Sequence, residues 1–440
     1  MNNTNHSFPE KITIHPSTNR VEFECTPPGS KSITNRALVL AALNTGQNQT
    51  VLTGALQSED TEIMVDCLEK LGYMIKADWQ KHTITIQSPL SAGIIPASKA
   101  ELFTANSGTT MRFLTAMVAL GNGEFLLDGI KRMRERPIGD LLNCLNQLGI
   151  DASSVTKNDC PPVRINTKGW SGGNAEISTS TSSQFLSGIL MAAPLARGNS
   201  KIHLIGKIVS EPYIELTIQM LKAWGLTIHH KSEREFEIPG NQEGKLFNYH
   251  IEPDASAASY FYAMAAITGG TVITPGLGSQ SLQGDIHFVE ALEKMGCKVE
   301  QSRQVTKVTG GILKGIDIDM NAISDTVMTL GVVACFADGP TRIRNIEHIR
   351  HKETDRISAL ATELQKIGAK VEEFQDSIVI HPKKLQAAEI ATYNDHRMAM
   401  SFAVAGLKIP GITILNPSCV SKTYPRFFED FSKLTNARLT

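Results

Sequence analysis

The chain has 440 residues, of which 41% are hydrophobic and 20% charged, and its formal net charge is −1. This length exceeds what one hydrophobic core organises, so it predicts about two or three domains. The near-neutral charge excludes a general attraction to nucleic acid or to an acidic membrane surface, so anions would have to be bound by local clusters of Lys and Arg.

The sequence shows no pattern for export, membrane insertion or metal binding. Met1–His6 has no basic stretch leading into an apolar one, and the longest apolar runs, such as Val327–Ala337, fall short of the roughly 20 residues of a membrane span. Seven cysteines form no C-x-x-C pair and twelve histidines form no H-x-x-x-H pair. We therefore expect a cytoplasmic protein with free thiols and no structural zinc.

The first predicted elements are a strand at Lys11–His15 and a helix that begins near Lys31. Between them, Pro27–Arg36 combines two prolines, a turn-forming glycine and hydroxyl residues before an apolar run. A helix N-terminus offers free backbone N–H groups and the positive end of the helix dipole to an anion. We interpret Lys31 and Ser32 as part of an anion site, the alternative being a capped helix with a surface lysine. Glu24 stands where a Walker A loop needs glycine, which argues against a nucleotide P-loop.

Five segments along the chain repeat one pattern, in which an amphipathic helix ends at a glycine and a strand follows. The glycines recur at intervals of about 70 to 80 residues, which predicts repeated supersecondary units. Each glycine suits the position after a helix, where φ is positive. Strongly apolar helices at 185–195, 260–267 and 398–407 are predicted to form the inner layer of each domain. The five glycines are Gly72, Gly149, Gly225, Gly296 and Gly368.

The repeats leave a remainder at both ends of the chain. The Lys11–His15 strand has no repeat of its own, and the last repeat, after Asn394, lacks its final strands, so the simplest arrangement lets the first strand complete a sixth repeat. This predicts lobe I from residues 1–29 and 253–440, and lobe II from residues 30–252. Hinges near 27–30 and 251–254 contain proline, which favours short, stiff connections. Two lobes joined by two hinges imply a cleft that can close.

Polar residues interrupt the apolar pattern at the predicted helix starts. Four cations in Lys131–Arg136 are costly to cluster unless an anion relieves their repulsion, the alternative being a solvated loop. Asp325 is most simply an N-cap, although an isolated carboxylate facing a cleft is also a candidate base. On a helix, Lys352 and Arg356 would share one face. The interruptions are Asn106–Arg112, Lys131–Ile138, Thr181–Gln184, Ser210–Tyr213, Ile323–Thr326, Arg350–Arg356, Tyr393–Arg397 and Ser421–Pro425.

Six motifs, in order, resemble those of the 5-enolpyruvylshikimate-3-phosphate synthase family, and the match runs from about residue 12 to residue 430. The resemblance implies an α/β fold, a two-lobe inside-out α/β barrel built from six repeated βαβαββ-type units, with the active site in the interlobe cleft. The motifs are Pro28–Arg36, Arg136–Ile138, Ser182–Gln184, Lys352–Arg356, Asn394–Arg397 and Ser421–Thr423.

The resemblance also implies a reaction and its participants. The enolpyruvyl group of phosphoenolpyruvate would be transferred to the 5-hydroxyl of shikimate 3-phosphate, releasing phosphate, in the shikimate pathway of aromatic amino-acid biosynthesis. It implies no metal or organic cofactor. The charge and the apolar runs predict no nucleic-acid or membrane partner, and a monomer is expected because nothing in the sequence demands a partner. Asp325 is implied as base, Glu353 as proton donor and Lys31 as a shared participant. Because Glu353 must carry a proton at the right moment, the closed cleft is expected to favour its neutral form.

The substrate ligands are implied residue by residue. Those implied for phosphoenolpyruvate are Lys31, Gly108, Arg136, Gln184, Arg356, Arg397 and Lys422. Those implied for shikimate 3-phosphate are Lys31, Ser32, Arg36, Ser182, Ser183, Gln184, Ser210, Tyr213, Asp325, His348 and Lys352.

Three positions depart from the commoner family pattern. His348 stands where Asn is expected, Phe113 where many members have Pro, and Glu211 where many have Lys. Gly108 leaves space open beside phosphoenolpyruvate, as in members sensitive to the competing inhibitor glyphosate.

Two alternatives stay open. The sister enolpyruvyl transferase that acts on UDP-N-acetylglucosamine shares fold and donor but uses a loop cysteine as acid, whereas Asp128–Arg136 contains no Cys and Cys144 belongs to a repeat helix. A non-catalytic phosphate-binding repeat protein would explain cations at helix starts, but not Asp325 and Glu353 among them.

Overall fold

The computed structural model describes residues 8–16, 20–44, 49–88 and 93–440, so Met1–His6, the segment without an export pattern, lies outside the described residues. The chain divides into two compact units. We call residues 1–28 with 252–440 lobe I, and residues 29–251 lobe II.

Helices and short runs of strands are interspersed along the chain, as α/β repeats require. The N-terminal strands of lobe I are β1 (Lys11–His15) and β2 (Glu22–Glu24). Lobe II contains α1 (Lys31–Ala42), β3 (Thr50–Thr53), α2 (Glu59–Lys70), β4 (Met74–Asp78), β5 (Thr83–Gln87), β6 (Lys99–Phe103), α3 (Gly108–Val118), β7 (Asn122–Asp128), α4 (Gly139–Gln147), β8 (Asp151–Ser154), β9 (Val163–Lys168), β10 (Gly173–Ser178), α5 (Gln184–Ala192), β11 (Ser200–Ile205), α6 (Pro212–Ala223), β12 (His229–Ser232), β13 (Glu235–Ile238) and β14 (Asn248–His250).

The rest of lobe I has the same mixture of helices and strands. It contains α7 (Ala255–Thr268), β15 (Thr271–Pro275), α8 (Phe288–Lys294), β16 (Lys298–Gln301), β17 (Val305–Thr309), β18 (Asp317–Asp319), α9 (Val327–Ala334), β19 (Thr341–Arg344), α10 (Arg356–Lys366), β20 (Lys370–Glu373), β21 (Ser377–His381), β22 (Ala388–Ile390), α11 (His396–Ala405), β23 (Ile412–Leu415), α12 (Phe427–Thr435) and β24 (Arg438–Leu439). The 3-10 helices are Met133–Glu135, Ala193–Leu195, Gly284–His287, Ser324–Thr326, Glu347–His351 and Pro417–Lys422.

Within the described residues the strands form six four-stranded sheets, three in each lobe. In the repeat that runs from β6 to β9, β6 pairs in parallel with β7, and β9 lies antiparallel between β7 and β8. The repeats from β10 and from β18 have the same order. The α/β class and the six repeats predicted from the sequence are confirmed.

The other three sheets are completed by a strand from elsewhere in the same lobe. In lobe II, β14 pairs in parallel with β3. In lobe I, β2 pairs in parallel with β15, while β1 lies antiparallel between β23 and β24. β1 completes the sixth repeat, as predicted, but the prediction that this repeat lacks its final strands is wrong because β24 follows α12 and pairs with β1.

Inner helices fill the core of each lobe, as their unbroken apolar sequences predicted. Every residue of α5 after Gln184 is buried, as is every residue of α11. The outer helices bury one face and end before the repeated glycines, whose φ angles are 95, 81, 76, 112 and 103°. Both the inner-layer and the positive-φ predictions are confirmed. The polar interruptions lie at the starts of both kinds of helix, for example α5 and α11 of the inner layer and α6 and α10 of the outer one.

Candidate active site

The start of α1 carries the first predicted residues, and its local geometry confirms the predicted helix N-terminus. Ser30 is the N-cap, and its hydroxyl accepts a hydrogen bond from the backbone N–H of Ile33. Lys31 and Ser32 follow in the first turn and are half-buried. The ammonium of Lys31 lies 3.3 Å from the carboxylate of Asp60, which is almost fully buried. This lysine is therefore a fixed cation rather than a solvated one.

Arg36, one turn further along α1, is 1% exposed. Its guanidinium donates to the hydroxyls of Thr217 and Ser187 and to the carbonyl oxygens of Ser32 and Tyr213, at 2.8 to 3.2 Å. The Phe113 ring, one of the departures from the family pattern, lies 5.0 Å from the guanidinium carbon. Burial lowers the pKa of Arg36 to about 10.

Gly108 begins α3 in a space too narrow for a side chain. A Cβ atom there would lie 2.4 Å from Nη2 of Arg136 and 3.1 Å from Nη1 of Arg112. Arg136 donates to the carbonyl oxygen of Asn106, and Arg112 donates to Oε1 of Gln184 at 2.7 Å. The absence of a side chain therefore lets two buried guanidiniums approach one helix start.

The hydroxyl residues predicted for shikimate 3-phosphate lie at the starts of α5 and α6. The Ser182 hydroxyl accepts from the backbone N–H of Gln184, and Ser183 is buried as the N-cap of α5. Ser210, also buried, has φ of 51°, and its carbonyl oxygen accepts from the N–H of Tyr213. α6 is thus preceded by a residue with a left-handed backbone conformation, and α5 is preceded by a polar loop.

The four-cation segment at Lys131–Arg136 corrects one sequence inference. Arg134 forms an ion pair with Asp128, and Arg132 lies 3.2 Å from Glu135. Because Asp128, at the end of β7, and Glu135 pair with two of these cations, the cluster does not by itself require an anionic partner. Arg136 differs, since it is 3% exposed and points toward Gly108.

Asp325 is the centre of the predicted site in lobe I. Its carboxylate accepts from Lys352 at 3.3 Å, from Arg356 at 3.0 Å and from Arg397 at 2.7 Å. The interpretation of Asp325 as an N-cap is wrong, because it lies inside a 3-10 helix and the residue that precedes α9 is Thr326. Its carboxylate therefore serves three cations and not a helix start.

Arg356 joins Asp325 to two further carboxylates. It is 1% exposed, and it donates to Glu353 at 2.8 Å and to Asp395 at 2.7 Å. The inference that Lys352 and Arg356 share a helix face is wrong, because the 3-10 helix ends at residue 351 and α10 begins at Arg356 with Asp355 as its cap. The irregular segment between the two helices carries both Lys352 and Glu353.

The pKa values of two cations around Asp325 shift in opposite directions. Burial would lower the pKa of Arg356, but Asp395, Glu353 and Asp325 outweigh it and raise the pKa above its usual value. Burial lowers the pKa of Lys352, and the attraction of Asp325 recovers only part of that shift. Lys352 is thus the more easily deprotonated of the two.

The remaining predicted residues of lobe I are buried but lie on other elements. Arg397 is in the first turn of α11, where its N–H donates to Asp395. Glu353 is 8% exposed, and His348, on a 3-10 helix, is 4% exposed. Lys422 ends the 3-10 helix Pro417–Lys422 and is 4% exposed.

Sequence reasoning missed several residues around these side chains. Asp395 and Arg112 lay inside quoted motifs but received no role, although an Asp before an apolar helix is a recognisable N-cap signal. Asp285, in a 3-10 helix, is buried and hydrogen-bonded to Ser256. Burial raises the pKa of Asp285 to about 6, and the Asp325 carboxylate adds to this shift. No pattern in the sequence marks Asp285.

All seven cysteines, which lie within the described residues, carry free thiols, and five of them are buried. Burial raises the pKa of the Cys144 thiol to about 12, and this residue lies in α4. Across residues 8–16, 20–44, 49–88 and 93–440, His, Cys, Asp and Glu side chains nowhere form a group of three or more that could hold a metal ion. None of the helices in these ranges has the length and apolar content that a membrane span requires.

The chain is similar along nearly its whole length to proteins of known sequence and of solved structure. Residues 16–431 match the family model "EPSP synthase (3-phosphoshikimate 1-carboxyvinyltransferase)". The 3-phosphoshikimate 1-carboxyvinyltransferase of Nostoc punctiforme is 47% identical over 95% of this chain and 98% of its own. The chloroplastic relative of the same name from Arabidopsis thaliana is 46% identical over 93% of this chain and 81% of its own. The solved EPSP synthase from Acinetobacter baumannii has a TM-score of 0.80 and 26% identity, covering 98% of this chain and 99% of that one.

Proposed function

The chain belongs to the EPSP synthase family, and from this premise we propose how its residues carry out the 3-phosphoshikimate 1-carboxyvinyltransferase reaction. The enzyme transfers the enolpyruvyl group of phosphoenolpyruvate to the 5-hydroxyl of shikimate 3-phosphate and releases phosphate, a step of the shikimate pathway. The observation that carries this conclusion is the family match over residues 16–431, with relatives 46 to 47% identical over nearly the whole chain.

In lobe II, we assign the helix starts to the two anionic substrates. Backbone N–H groups and fixed cations at such starts favour phosphate and carboxylate. Four hydrogen bonds hold Arg36, and within the described part of the chain they leave one N–H of its Nη1 for shikimate 3-phosphate. We assign Ser32, Arg36, Ser182, Ser183, Ser210 and Tyr213 to shikimate 3-phosphate, Gly108 and Arg136 to phosphoenolpyruvate, and Lys31 and Gln184 to both.

In lobe I, we assign the cations around Asp325 in the same way. The planar guanidiniums of Arg356 and Arg397 suit the carboxylate and phosphate of phosphoenolpyruvate, and Lys422 adds a third cation. Lys352 and His348 are assigned to shikimate 3-phosphate, His348 as a hydrogen-bond donor. That both lobes serve one reaction is part of this proposal, as the cleft predicted from the sequence requires.

The proposed proton transfers use Asp325 and Glu353, with Lys31 as a shared participant. In the addition step, Asp325 accepts the proton of the attacking hydroxyl while Glu353 donates one to the methylene carbon of phosphoenolpyruvate. In the elimination step, the ionised Glu353 takes a proton from the resulting methyl group as the C–O bond to phosphate breaks, and Asp325 returns its proton to the leaving phosphate. The contacts of Arg356 with both carboxylates, at 3.0 and 2.8 Å, support this pairing because they fix both groups on one guanidinium.

Phosphate release tests the assignment of substrates. The purified protein is given phosphoenolpyruvate with either shikimate 3-phosphate or UDP-N-acetylglucosamine, each with and without EDTA. We expect release only with shikimate 3-phosphate, unchanged by EDTA. Release with UDP-N-acetylglucosamine would favour the sister transferase, and release with neither acceptor would favour a binding protein.

A substitution tests the proposed proton donor. Glu353→Gln keeps the shape of the side chain but cannot deliver a proton, so we expect turnover to fall by about 10² to 10⁴ while substrate affinities change little. The matched control is Glu389→Gln, which changes an exposed carboxylate on β22 that pairs with Lys11. Turnover of Glu353→Gln close to that of the control would remove Glu353 from the proton transfers.

A cytoplasmic location and a monomeric state remain predictions, and size measurement in solution checks the latter.

A further inference from the structure

α10 contains a buried carboxylate, Glu363, that lies outside the assigned site. Glu363 has an exposed fraction of 0%. Its oxygens accept hydrogen bonds from the backbone N–H of Ala391 at 3.1 Å, from the hydroxyl of Tyr393 at 2.7 Å and from the ammonium of Lys366 at 2.8 Å. A buried carboxylate is tolerated only when it is paired and hydrogen-bonded, so these contacts fix where Glu363 and its partners lie.

The segment that Glu363 holds has an unusual backbone. Tyr393 and Asn394 have φ angles of 53 and 54°, two consecutive left-handed residues that are not glycine. Such a conformation persists only where the surroundings impose it. Asp395 follows directly, and its carboxylate accepts from the N–H of Arg397 at 2.9 Å and from Nε of Arg356 at 2.7 Å. The strained pair thus leads straight into the network around Asp325.

One helix face grips this segment at both ends. Arg356 and Glu363 are seven residues apart on α10, which places them on the same face two turns apart. Glu363 binds residues 391 and 393, and Arg356 binds Asp395. Arg356 also donates to Asp325 and Glu353. A shift of the segment would therefore move Asp395, and with it the guanidiniums of Arg356 and Arg397.

We propose that Glu363 is a positioning residue for the known reaction, which holds the left-handed pair so that Asp395 fixes Arg356 and the start of α11. Its effect reaches the substrate through Arg356 and Arg397, so this inference rests on the proposed function that assigns both to phosphoenolpyruvate. Lys366, which is 42% exposed, balances the charge of Glu363 from the solvent side. Affinity for phosphoenolpyruvate is the property that Glu363 controls.

Steady-state kinetics and ligand binding test this proposal on three variants. Glu363→Gln keeps the size of the side chain, but an NH2 group replaces one of its two acceptor oxygens. At least one group that donates to Glu363 would then face an N–H donor instead of an acceptor. We expect kcat/KM for phosphoenolpyruvate to fall by about 10 to 100-fold, because small displacements of aligned groups are costly. Tyr393→Phe removes one hydrogen bond from a ring that is 41% exposed, and should lower kcat/KM about two- to fivefold through a higher KM. The binding of shikimate 3-phosphate alone, measured by calorimetry, should not change.

The control is Tyr73→Phe, which removes a comparable hydroxyl bond, to the carbonyl oxygen of Ile94, in lobe II. Its kinetics should match those of the parent protein. Lowered melting temperatures with an unchanged KM for phosphoenolpyruvate in Glu363→Gln would make Glu363 merely structural and overturn the proposal. Should Glu363→Gln not fold, an unchanged KM in Tyr393→Phe overturns it. A parent protein that releases no phosphate with shikimate 3-phosphate refutes the proposed function itself, a result visible before any variant is made.

Discussion

Two fully buried arginines, one in each lobe, have opposite electrostatic surroundings. Arg36 in lobe II and Arg356 in lobe I are each 1% exposed. The groups that accept hydrogen bonds from Arg36 are hydroxyls and backbone carbonyls, and burial lowers its pKa to about 10. Burial acts on Arg356 too, but three carboxylates outweigh it and raise its pKa.

The difference teaches what each buried charge is suited to do. A guanidinium held by neutral acceptors keeps its positive charge uncompensated, so an anionic ligand that reaches it gains a strong interaction in a region of low dielectric. A guanidinium surrounded by carboxylates has its charge balanced already, and it mainly fixes where those carboxylates lie. We infer that Arg36 contributes to binding of the anionic acceptor, and that Arg356 orients the acids of lobe I in addition to its proposed contact with phosphoenolpyruvate.

The largest expected effect comes from removing the acid that the lobe I cations share. Asp325→Asn keeps the size of the side chain but cannot accept a full proton, so we expect kcat to fall by about 10² to 10⁴ if Asp325 is the base. Asp319→Asn is the control, because Asp319 is an exposed acid of lobe I that pairs with Arg344. A kcat for Asp325→Asn within a few-fold of the control would mean that this carboxylate only balances the cations around it.

Truncating each buried arginine tests the comparison through stability. Arg356→Met leaves buried carboxylates without their shared cation, and should lower the free energy of unfolding by about 3 to 5 kcal/mol. Arg36→Met leaves neutral acceptors unsatisfied, and should cost about 1 to 3 kcal/mol. Denaturant titrations followed by circular dichroism measure both. A larger loss for Arg36→Met than for Arg356→Met would contradict the electrostatic contrast.

A smaller effect is expected at Gly108, where lobe II brings two guanidiniums to one helix start. In Gly108→Ala the new Cβ would lie 2.4 Å from Nη2 of Arg136, so Arg136 must move. We expect KM for phosphoenolpyruvate to rise by about tenfold, equivalent to ~1.4 kcal/mol, and glyphosate to inhibit more weakly in parallel. KM for shikimate 3-phosphate serves as the internal reference. If it rose equally, the substitution would have disturbed the whole helix start and not Arg136 alone.

The elements that the sequence predicted correctly depend on local patterns. Apolar runs without a polar face predicted the inner helices, and glycines after amphipathic stretches predicted the helix ends with positive φ. Ser30 and Ser107 are N-caps at predicted helix starts. Each of these features is decided by a few neighbouring residues, so one sequence is enough to read them.

The pairing of charges could not be predicted, because it depends on residues that only the fold brings together. Asp325 binds Lys352 and Arg397, which are 27 and 72 residues away along the chain. Arg134 pairs with Asp128, six residues earlier in the chain. The charge count of the loop alone did not predict this pair. The buried Asp285 was missed altogether, since a single Asp in a polar stretch resembles any surface acid.

The smallest expected effect is the pH dependence that Asp285 gives to lobe I. Burial, followed by the repulsion of Asp325, raises the pKa of this carboxyl from 3.8 to about 6, so the folded state binds its proton more tightly than the unfolded state does. The ionised Asp285 therefore lowers the free energy of unfolding. This loss is fully present above about pH 6 and absent below about pH 4. Asp285→Asn removes this titration, so its stability relative to the parent protein should increase between pH 4 and 6, by at most about 1.4 kcal/mol per pH unit, and then level off. Urea titrations across this range measure the difference, with Asp66→Asn, an exposed acid in lobe II, as the control. If the stability difference instead fell with rising pH, Arg397 and Ser256, which lower the pKa of Asp285, would prevail over its burial. The charge of Asp285 would then be balanced by its neighbours, as the charges of the carboxylates around Arg356 are.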